Sequence, residues 1–258
     1  MRLLNHINRG KVIRLVNQPT QRIAVIEDPH YLWLTFDNII QSVMLKRKPE
    51  RLLMPHQQAL LIPLLFSSPK NILELGLGGG SFTRAITHLL PEANLITAEY
   101  DSDVITLFRA HFNPTSRKYC INHQTGESLL QQRHGKYDWV VCDIYAQHNH
   151  QFLEQVKESI ANMRNPACWT INLPDLDEKQ LNALLAELKQ TAFNIYQTTG
   201  TKYQVSYLEI PRFKNVIVFI LPEPCIELDS THSPLPAHLR LRLSTAWRFR
   251  QKVTLSDK

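Results

Sequence analysis

Four glycines fall within five positions at Gly76-Leu77-Gly78-Gly79-Gly80, and they constrain the fold of this chain more than any other feature. Before them, Asn71-Ile72-Leu73-Glu74-Leu75 is a short apolar run of the buried-strand type. After them, Ser81 to Leu90 places Phe82, Ala85, Ile86, Leu89 and Leu90 on one helical face, with Pro91 as the stop. Glycine is needed where the backbone turns with positive φ, or where a ligand must approach without meeting a Cβ. A strand that passes through such a loop into a helix opens a parallel strand–helix–strand unit. The loop is therefore both a folding constraint and a candidate nucleotide site. No Walker lysine follows it, which disfavours a triphosphate ligand.

The same alternation continues along the chain. Pro55 to Ile62 opens a helix with proline in its first turn. Leu95 to Glu99 reads as a strand, Val104 to Phe112 as a helix, Tyr137 to Asp143 as a strand and Gln151 to Met163 as a helix. Cys168 to Leu173 and Glu178 to Thr191 add another strand and helix. Gln204–Ile210 and Asn215–Ile220 are joined too closely for anything but a hairpin, so this edge of the sheet is expected to be antiparallel. The expected fold class is α/β: a Rossmann-like, methyltransferase-type sheet, mostly parallel, over residues 55–258. Residues 1–54 read differently. Arg22–Glu27, Tyr31–Phe36 and Ile39–Val43 are short β-branched and aromatic runs with turn residues between them, a small N-terminal β-hairpin domain.

Bulk properties exclude several classes. With 258 residues, 43% hydrophobic and 20% charged, the chain can bury a substantial core. Its apolar stretches are too short for a membrane span, and nothing at Met1–His6 reads as a secretory signal. Cys120, Cys142, Cys168 and Cys225 are widely spaced, so neither a zinc site nor a disulfide framework is expected, and a reduced cytoplasmic protein is. The net charge of +6 is dispersed, which argues against nucleic acid as the main partner, although Lys46-Arg47-Lys48 with Arg51 and the tail Arg240, Arg242, Arg248, Arg250, Lys252 are local basic clusters.

Gly76, Gly78 and Gly80 are the backbone candidates for ligand contact. Glu99 stands about twenty residues beyond the loop, at the end of the next strand, where a carboxylate reaches ribose hydroxyls. Asp101 serves either as a second nucleotide contact or as a helix N-cap. Gly126-Glu127-Ser128 is either an adenine-side contact or an ordinary loop. Asp143 ends the Tyr137 strand at the ligand-binding edge, as a base or ammonium anchor, or else as a helix cap.

Taken together, Leu34-Thr35-Phe36-Asp37-Asn38 with Gln41-Ser42, then His56, the glycine loop, Glu99-Tyr100-Asp101, Tyr137 to Asp143 and Ile210-Pro211-Arg212-Phe213 resemble the spermidine synthase (polyamine aminopropyltransferase) family over roughly residues 30 to 220. The resemblance implies a transferase with S-adenosylmethionine or its decarboxylated form as co-substrate, no metal, and a homodimer or larger homo-oligomer. It places Gln41 at the nucleoside or amine, Glu99 at the ribose, Glu127 near the adenine and Asp143 as base. His56 and Tyr145 stand as candidate substrate-binding residues. The acids that the family uses for its diamine are missing: Gly79 stands where the glycine loop carries an aspartate, Gln57 follows His56 in place of glutamate, and Ala146 replaces a second aspartate. Burying two ammonium groups without carboxylates costs several kcal/mol per ion, so the amine half of the site is expected to differ. Asp143 with His148 and His150 has no familiar metal-ligand spacing. The expected function is alkyl transfer from an adenosyl-sulfonium donor to an amine or other small acceptor. A methyltransferase and a non-catalytic homologue are the alternatives.

Overall fold

The computed structural model describes residues 6–132, 137–144, 160, 167–174, 176–223 and 233–253. Tyr145, Ala146, His148, His150, Cys225 and the body of the expected helix at 151–163 lie outside them.

The N-terminal unit is a four-stranded antiparallel meander, β1 (Lys11–Asn17), β2 (Arg22–Glu27), β3 (Tyr31–Phe36) and β4 (Ile39–Leu45), in that spatial order. β1 adds a strand to the three expected. It has no alternating pattern, since Val12, Ile13 and Leu15 are all exposed on an edge strand. A bulge in β4 sets Gln41 between two paired positions, since Leu34 faces Ser42 while Thr35 faces Ile40.

After the short helix α1 (Pro55–Ala59) and a 3-10 turn (Ile62–Leu65) the larger sheet begins: β5 (Asn71–Leu75), α2 (Ser81–Leu89), β6 (Asn94–Glu99), α3 (Ser102–Leu107), a π-turn (Phe108–Phe112), β7 (Cys120–His123), α4 (Gly126–Gln132), β8 (Trp139–Cys142), β9 (Cys168–Pro174), α5 (Glu178–Thr199), β10 (Tyr203–Glu209), β11 (Asn215–Pro222), α6 (Ala237–Arg248) and β12 (Gln251–Lys252). Its order is β12-β10-β11-β9-β8-β5-β6-β7. The β5–β6, β6–β7, β5–β8 and β8–β9 pairs are parallel and the β9–β11, β11–β10 and β10–β12 pairs antiparallel. This is the expected α/β sheet, with two differences. The outermost strand is β12, carried there by a basic tail that folds as α6: Leu243 and Trp247 turn inward, and the Trp247 ring packs 5.4 Å from those of Phe66 and Phe219. Residues 126–128 are the first turn of α4 rather than a loop, because Leu129 and Leu130 pull the segment onto the core.

One core lies on each face of the large sheet, and a third joins the meander to it: Ile23, Val25, Leu32, Leu34 and Met44 pack on Leu77, Val104, Ile105, Phe108 and Phe112. Burying Phe108 and Phe112 contributes roughly 2–3 kcal/mol each. α5 is held at both ends, by an Asp177–Gln180 capping box and by Gly200 in the left-handed region, φ 73°. No helix among the described residues is long and apolar enough to cross a membrane.

Two ionisable residues, Arg84 and Glu74, are buried beneath the glycine loop. Arg84 donates through Nε to the Pro49 carbonyl at 2.8 Å, and through Nη1 to the Phe112 carbonyl at 2.9 Å and to the Gly79 carbonyl. Glu74 accepts the Thr83 hydroxyl at 2.5 Å and the Thr97 hydroxyl at 2.7 Å. Burial pushes the Glu74 carboxyl up from the ordinary 4.5 to about 8, so it is protonated at neutral pH. Because the folded value lies above the unfolded one, its contribution to stability is complete below about pH 4.5 and is lost as pH rises toward 8. Glu74→Gln should therefore remove about 3 kcal/mol of the decline in folding free energy between pH 5 and pH 8. Urea unfolding of both proteins across that range checks it; parallel declines would refute it.

Candidate functional site

The carboxyl ends of β5, β6, β8 and β9 converge on the glycine loop, because parallel pairing brings their last residues level: Leu75 faces Ala98 and Cys142, and Cys142 faces Ile171. Residues just beyond these ends therefore meet at one edge, the usual ligand side of an open parallel sheet.

Gly76 has φ 96° and Gly78 φ 51°, both in the region that favours glycine. A Cβ on Gly76 would stand 2.5 Å from the Asp143 carbonyl oxygen, whereas one on Gly78 would meet nothing within 4 Å. Gly76 thus seals the loop against β8, and Gly78 leaves an open approach. The open side of Gly80 is filled by the Phe108 ring, and that of Gly79 by Ser42, whose hydroxyl is 2.7 Å from the Ser81 hydroxyl. Through Ser42, the bulge that carries Gln41 abuts the loop.

Glu99 is buried, and its carboxylate accepts the Leu77 amide at 3.1 Å and the Asp101 amide at 3.0 Å. Burial raises its pKa, while these amides and that of Gly78 pull the other way. Asp101 caps α3, with Oδ1 accepting the amides of Asp103 at 2.8 Å and Val104 at 3.3 Å, and Oδ2 accepting Gln18 Nε2 at 2.9 Å. Gln18, in the turn between β1 and β2, also donates to Asp103 at 2.9 Å. The meander therefore grips the acidic corner of the site. Tyr100, between the two acids, is 62% exposed. Glu127 is half-buried in the first turn of α4, and Gly126 beside it packs against Ile144.

Asp143 forms the other side. Its amide donates to the Leu75 carbonyl at 2.9 Å. Its Oδ1 accepts Asn172 Nδ2 at 2.7 Å, and Asn172 Oδ1 in turn accepts Asn215 Nδ2 at 2.9 Å. Burial raises the Asp143 pKa, against the nearby His56 and the Asn172 hydrogen bond. Burial also lowers the pKa of His56, against the pull of Asp143. Among the described residues, the buried His56 Nδ1 and Gln57 Oε1 meet no hydrogen-bond partner, and the Phe213 ring meets the His56 ring edge-on at 5.7 Å.

Glu99, Asp143, Gly76, Gly78 and His56 are thus assembled around one edge, with Glu127 and Gln41 at its margins and Asp101 spent on the cap and Gln18. Tyr145 lies outside the described residues. Gln18 and Asn215 join the site without any mark in the sequence around them. Asn172 carried a signal, a lone amide in the apolar run Trp169-Thr170-Ile171-Asn172-Leu173. Among the described residues no group of three or more potential ligands is placed to hold a metal. The thiol of Cys142, buried and pushed up to about 12, is no nucleophile.

No family model matches the chain. A stretch of 74 residues is 40% identical to a polyamine aminopropyltransferase of Chromobacterium violaceum, covering 28% of each protein. A 75-residue stretch is 35% identical to one from Neisseria meningitidis serogroup B, again 28% of each. These matches span little more than a quarter of the relatives' length. In structure, the spermidine synthase of Thermotoga maritima covers 91% of this chain and 88% of its own at a TM-score of 0.65 and 17% identity. A spermidine synthase in complex with the transition state analogue AdoDATO has the same coverage and identity at a TM-score of 0.59. Human methyltransferase-like protein 13 in complex with SAH covers 79% of this chain and 93% of its own at a TM-score of 0.50 and 20% identity. The chain is spermidine-synthase-like, in fold over most of its length and in sequence over the shorter stretch.

Gly76→Ala adds strain at positive φ to a clash with the Asp143 carbonyl, and should destabilise the protein by about 2–4 kcal/mol. Gly78→Ala, with open space around it, should cost less by at least about 1 kcal/mol. Denaturant midpoints of the two variants test the ordering.

Proposed function

From this spermidine-synthase-like fold, we propose that the chain transfers an alkyl group from an adenosyl-sulfonium donor, S-adenosylmethionine or its decarboxylated form, to an amine. The observation that carries the reading is the packing of Gly76 on the Asp143 backbone, which puts the nucleotide loop and a carboxylate of raised pKa on one cleft. The residues fit such a donor: Gly78 leaves room for close approach, and Glu99 retains acceptor capacity beyond its backbone bonds for ribose hydroxyls. Glu127 is assigned to the adenine side, Gln41 to the junction of nucleoside and acceptor, and His56 and Tyr145 to the acceptor.

In the proposed step Asp143 takes a proton from the acceptor ammonium. The freed nitrogen lone pair attacks the carbon next to sulfur, the new C–N bond forms in line as the C–S bond breaks, and the bonding pair leaves on sulfur as a neutral thioether. Catalysis rests chiefly on positioning, with the base contributing a further factor of about 10²–10⁴. Burial assists by keeping the Asp143 carboxylate basic. A cytoplasmic homo-oligomer acting on small molecules is the setting proposed for this activity.

Calorimetric titration with S-adenosylmethionine, its decarboxylated form and methylthioadenosine should give binding to at least one; none at millimolar concentration refutes the reading. Asp143→Asn should lower turnover at least about a hundredfold with donor affinity preserved. The wild-type rate should fall on the acid side as Asp143 protonates, at a pH above the ordinary carboxylate range. Mass spectrometry of the product distinguishes aminopropyl from methyl transfer. Normal donor binding with no product from any amine would assign the chain to the non-catalytic homologues.

A further inference from the structure

Glu99 is tied to the N-terminal meander by a short series of hydrogen bonds that begins at Gln18, half-buried in the turn between β1 and β2. Gln18 Nε2 donates to Asp101 Oδ2 and to Asp103 Oδ2, each at 2.9 Å. Two carboxylate oxygens gathered on one nitrogen repel each other, and the amide between them supplies a proton to each. Its other end is fixed too: Gln18 Oε1 accepts Gln21 Nε2 at 3.1 Å, and the Gln18 backbone amide donates to the Gln21 carbonyl at 2.9 Å. A turned-over amide would set Oε1 against both carboxylates, so one orientation alone satisfies these partners. Asp101 carries the constraint onward. Its Oδ1 holds the amides of Asp103 and Val104 and its Oδ2 holds Gln18, so the carboxylate is clamped from both sides. Its own backbone amide donates to Glu99 Oε1 at 3.0 Å, while Glu99 Oε2 accepts the Leu77 amide of the glycine loop at 3.1 Å.

We propose that Gln18 is a positioning residue of the nucleotide site: by holding Asp101 and Asp103 together it sets the Asp101 amide, and through it the Glu99 carboxylate that receives the ribose hydroxyls of the donor. The ligand in this scheme rests on the alkyl-transfer reading above; the hydrogen bonds do not. Gln18 acts through Asp101 rather than on the donor. A neutral amide with two N–H donors suits the task, since glutamate would add a third negative charge to the pair, whereas lysine would meet both carboxylates with an ammonium. Ribose affinity thereby depends on how the β1–β2 turn docks on α3, and a displaced turn would loosen the donor without touching Asp143.

Two variants test this. Gln18→Met keeps the length of the side chain and removes its donors, whereas Gln18→Lys keeps donors for both acids. In the free proteins the Leu77 amide resonance reports on Glu99; it should move in Gln18→Met and return toward its wild-type position in Gln18→Lys. By calorimetry, Gln18→Met should bind methylthioadenosine about tenfold more weakly than the wild type, and Gln18→Lys within about twofold of it. The preference for methylthioadenosine over its 2′-deoxy form should shrink in Gln18→Met, because the lost contact is made to the ribose. A role in packing alone would weaken both ligands equally and would not be restored by lysine. An unmoved Leu77 amide in Gln18→Met overturns the proposal, as does a shift that lysine fails to reverse, or an undiminished ribose preference in a variant that binds methylthioadenosine. A responsive Leu77 amide in a protein that binds no adenosyl ligand would leave the link from Gln18 to Glu99 standing and remove the alkyl-transfer reading instead.

Discussion

One buried guanidinium ties the architecture together. Arg84 reaches from the first turns of α2 to three backbone carbonyls: Pro49, on the segment leaving the meander; Gly79, in the glycine loop; and Phe112, at the end of the π-turn. An isolated buried cation would be prohibitive, but here three of its N–H donors meet carbonyl oxygens. Burial lowers its pKa only to about 10, so the charge persists at neutral pH. The glycine loop cannot shift without disturbing the chain that leads out of the meander, nor can the meander swing without disturbing the loop. The shape of the cleft is therefore set from below, by a residue that takes no part in lining it.

The cleft has two sides of different character. On one side, carboxylates are engaged with amides: Glu99 with the backbone of the loop, and Asp101 with the backbone of α3 and the side chain of Gln18. On the other side, among the described residues, Asp143 accepts the Asn172 amide and lies near the His56 imidazole. The likeness to spermidine synthases is carried by the fold and by a short stretch of sequence.

What the sequence disclosed, it disclosed through period and punctuation. The run Asn71 to Leu90 is legible because an apolar strand, four glycines and a one-faced helix each have a distinct pattern. Asp143 and Glu99 were legible because each ends such a strand. β1 was not, since both its faces are exposed and no alternation marks it. α6 was hidden behind its arginines, with only Leu243 and Trp247 buried and Leu239 and Ala246 packing half-buried beside them. For Asp101 the sequence left cap and ligand contact open; the cap hydrogen bonds are present, together with one from Gln18 across 83 positions of sequence. Contacts of that kind carry no local signal. The Asn215–Asn172–Asp143 chain joins three separate segments and becomes visible only once β8, β9 and β11 are side by side.

The π-turn at Phe108–Phe112 adds a dimension that neither pattern nor chemistry suggests. A π-turn accommodates one more residue than the α-helical ladder, and each added residue rotates the downstream chain by about 100°. Here that offset presents Phe108 to Gly80 and Phe112 to Gly79, and turns the Phe112 carbonyl toward Arg84. The cleft floor is thus tuned by chain length as much as by residue type. A single-residue deletion in this turn, harmless on many surface helices, would here rotate an aromatic and a carbonyl away from the loop together, making this segment intolerant of length variation even where it tolerates substitution.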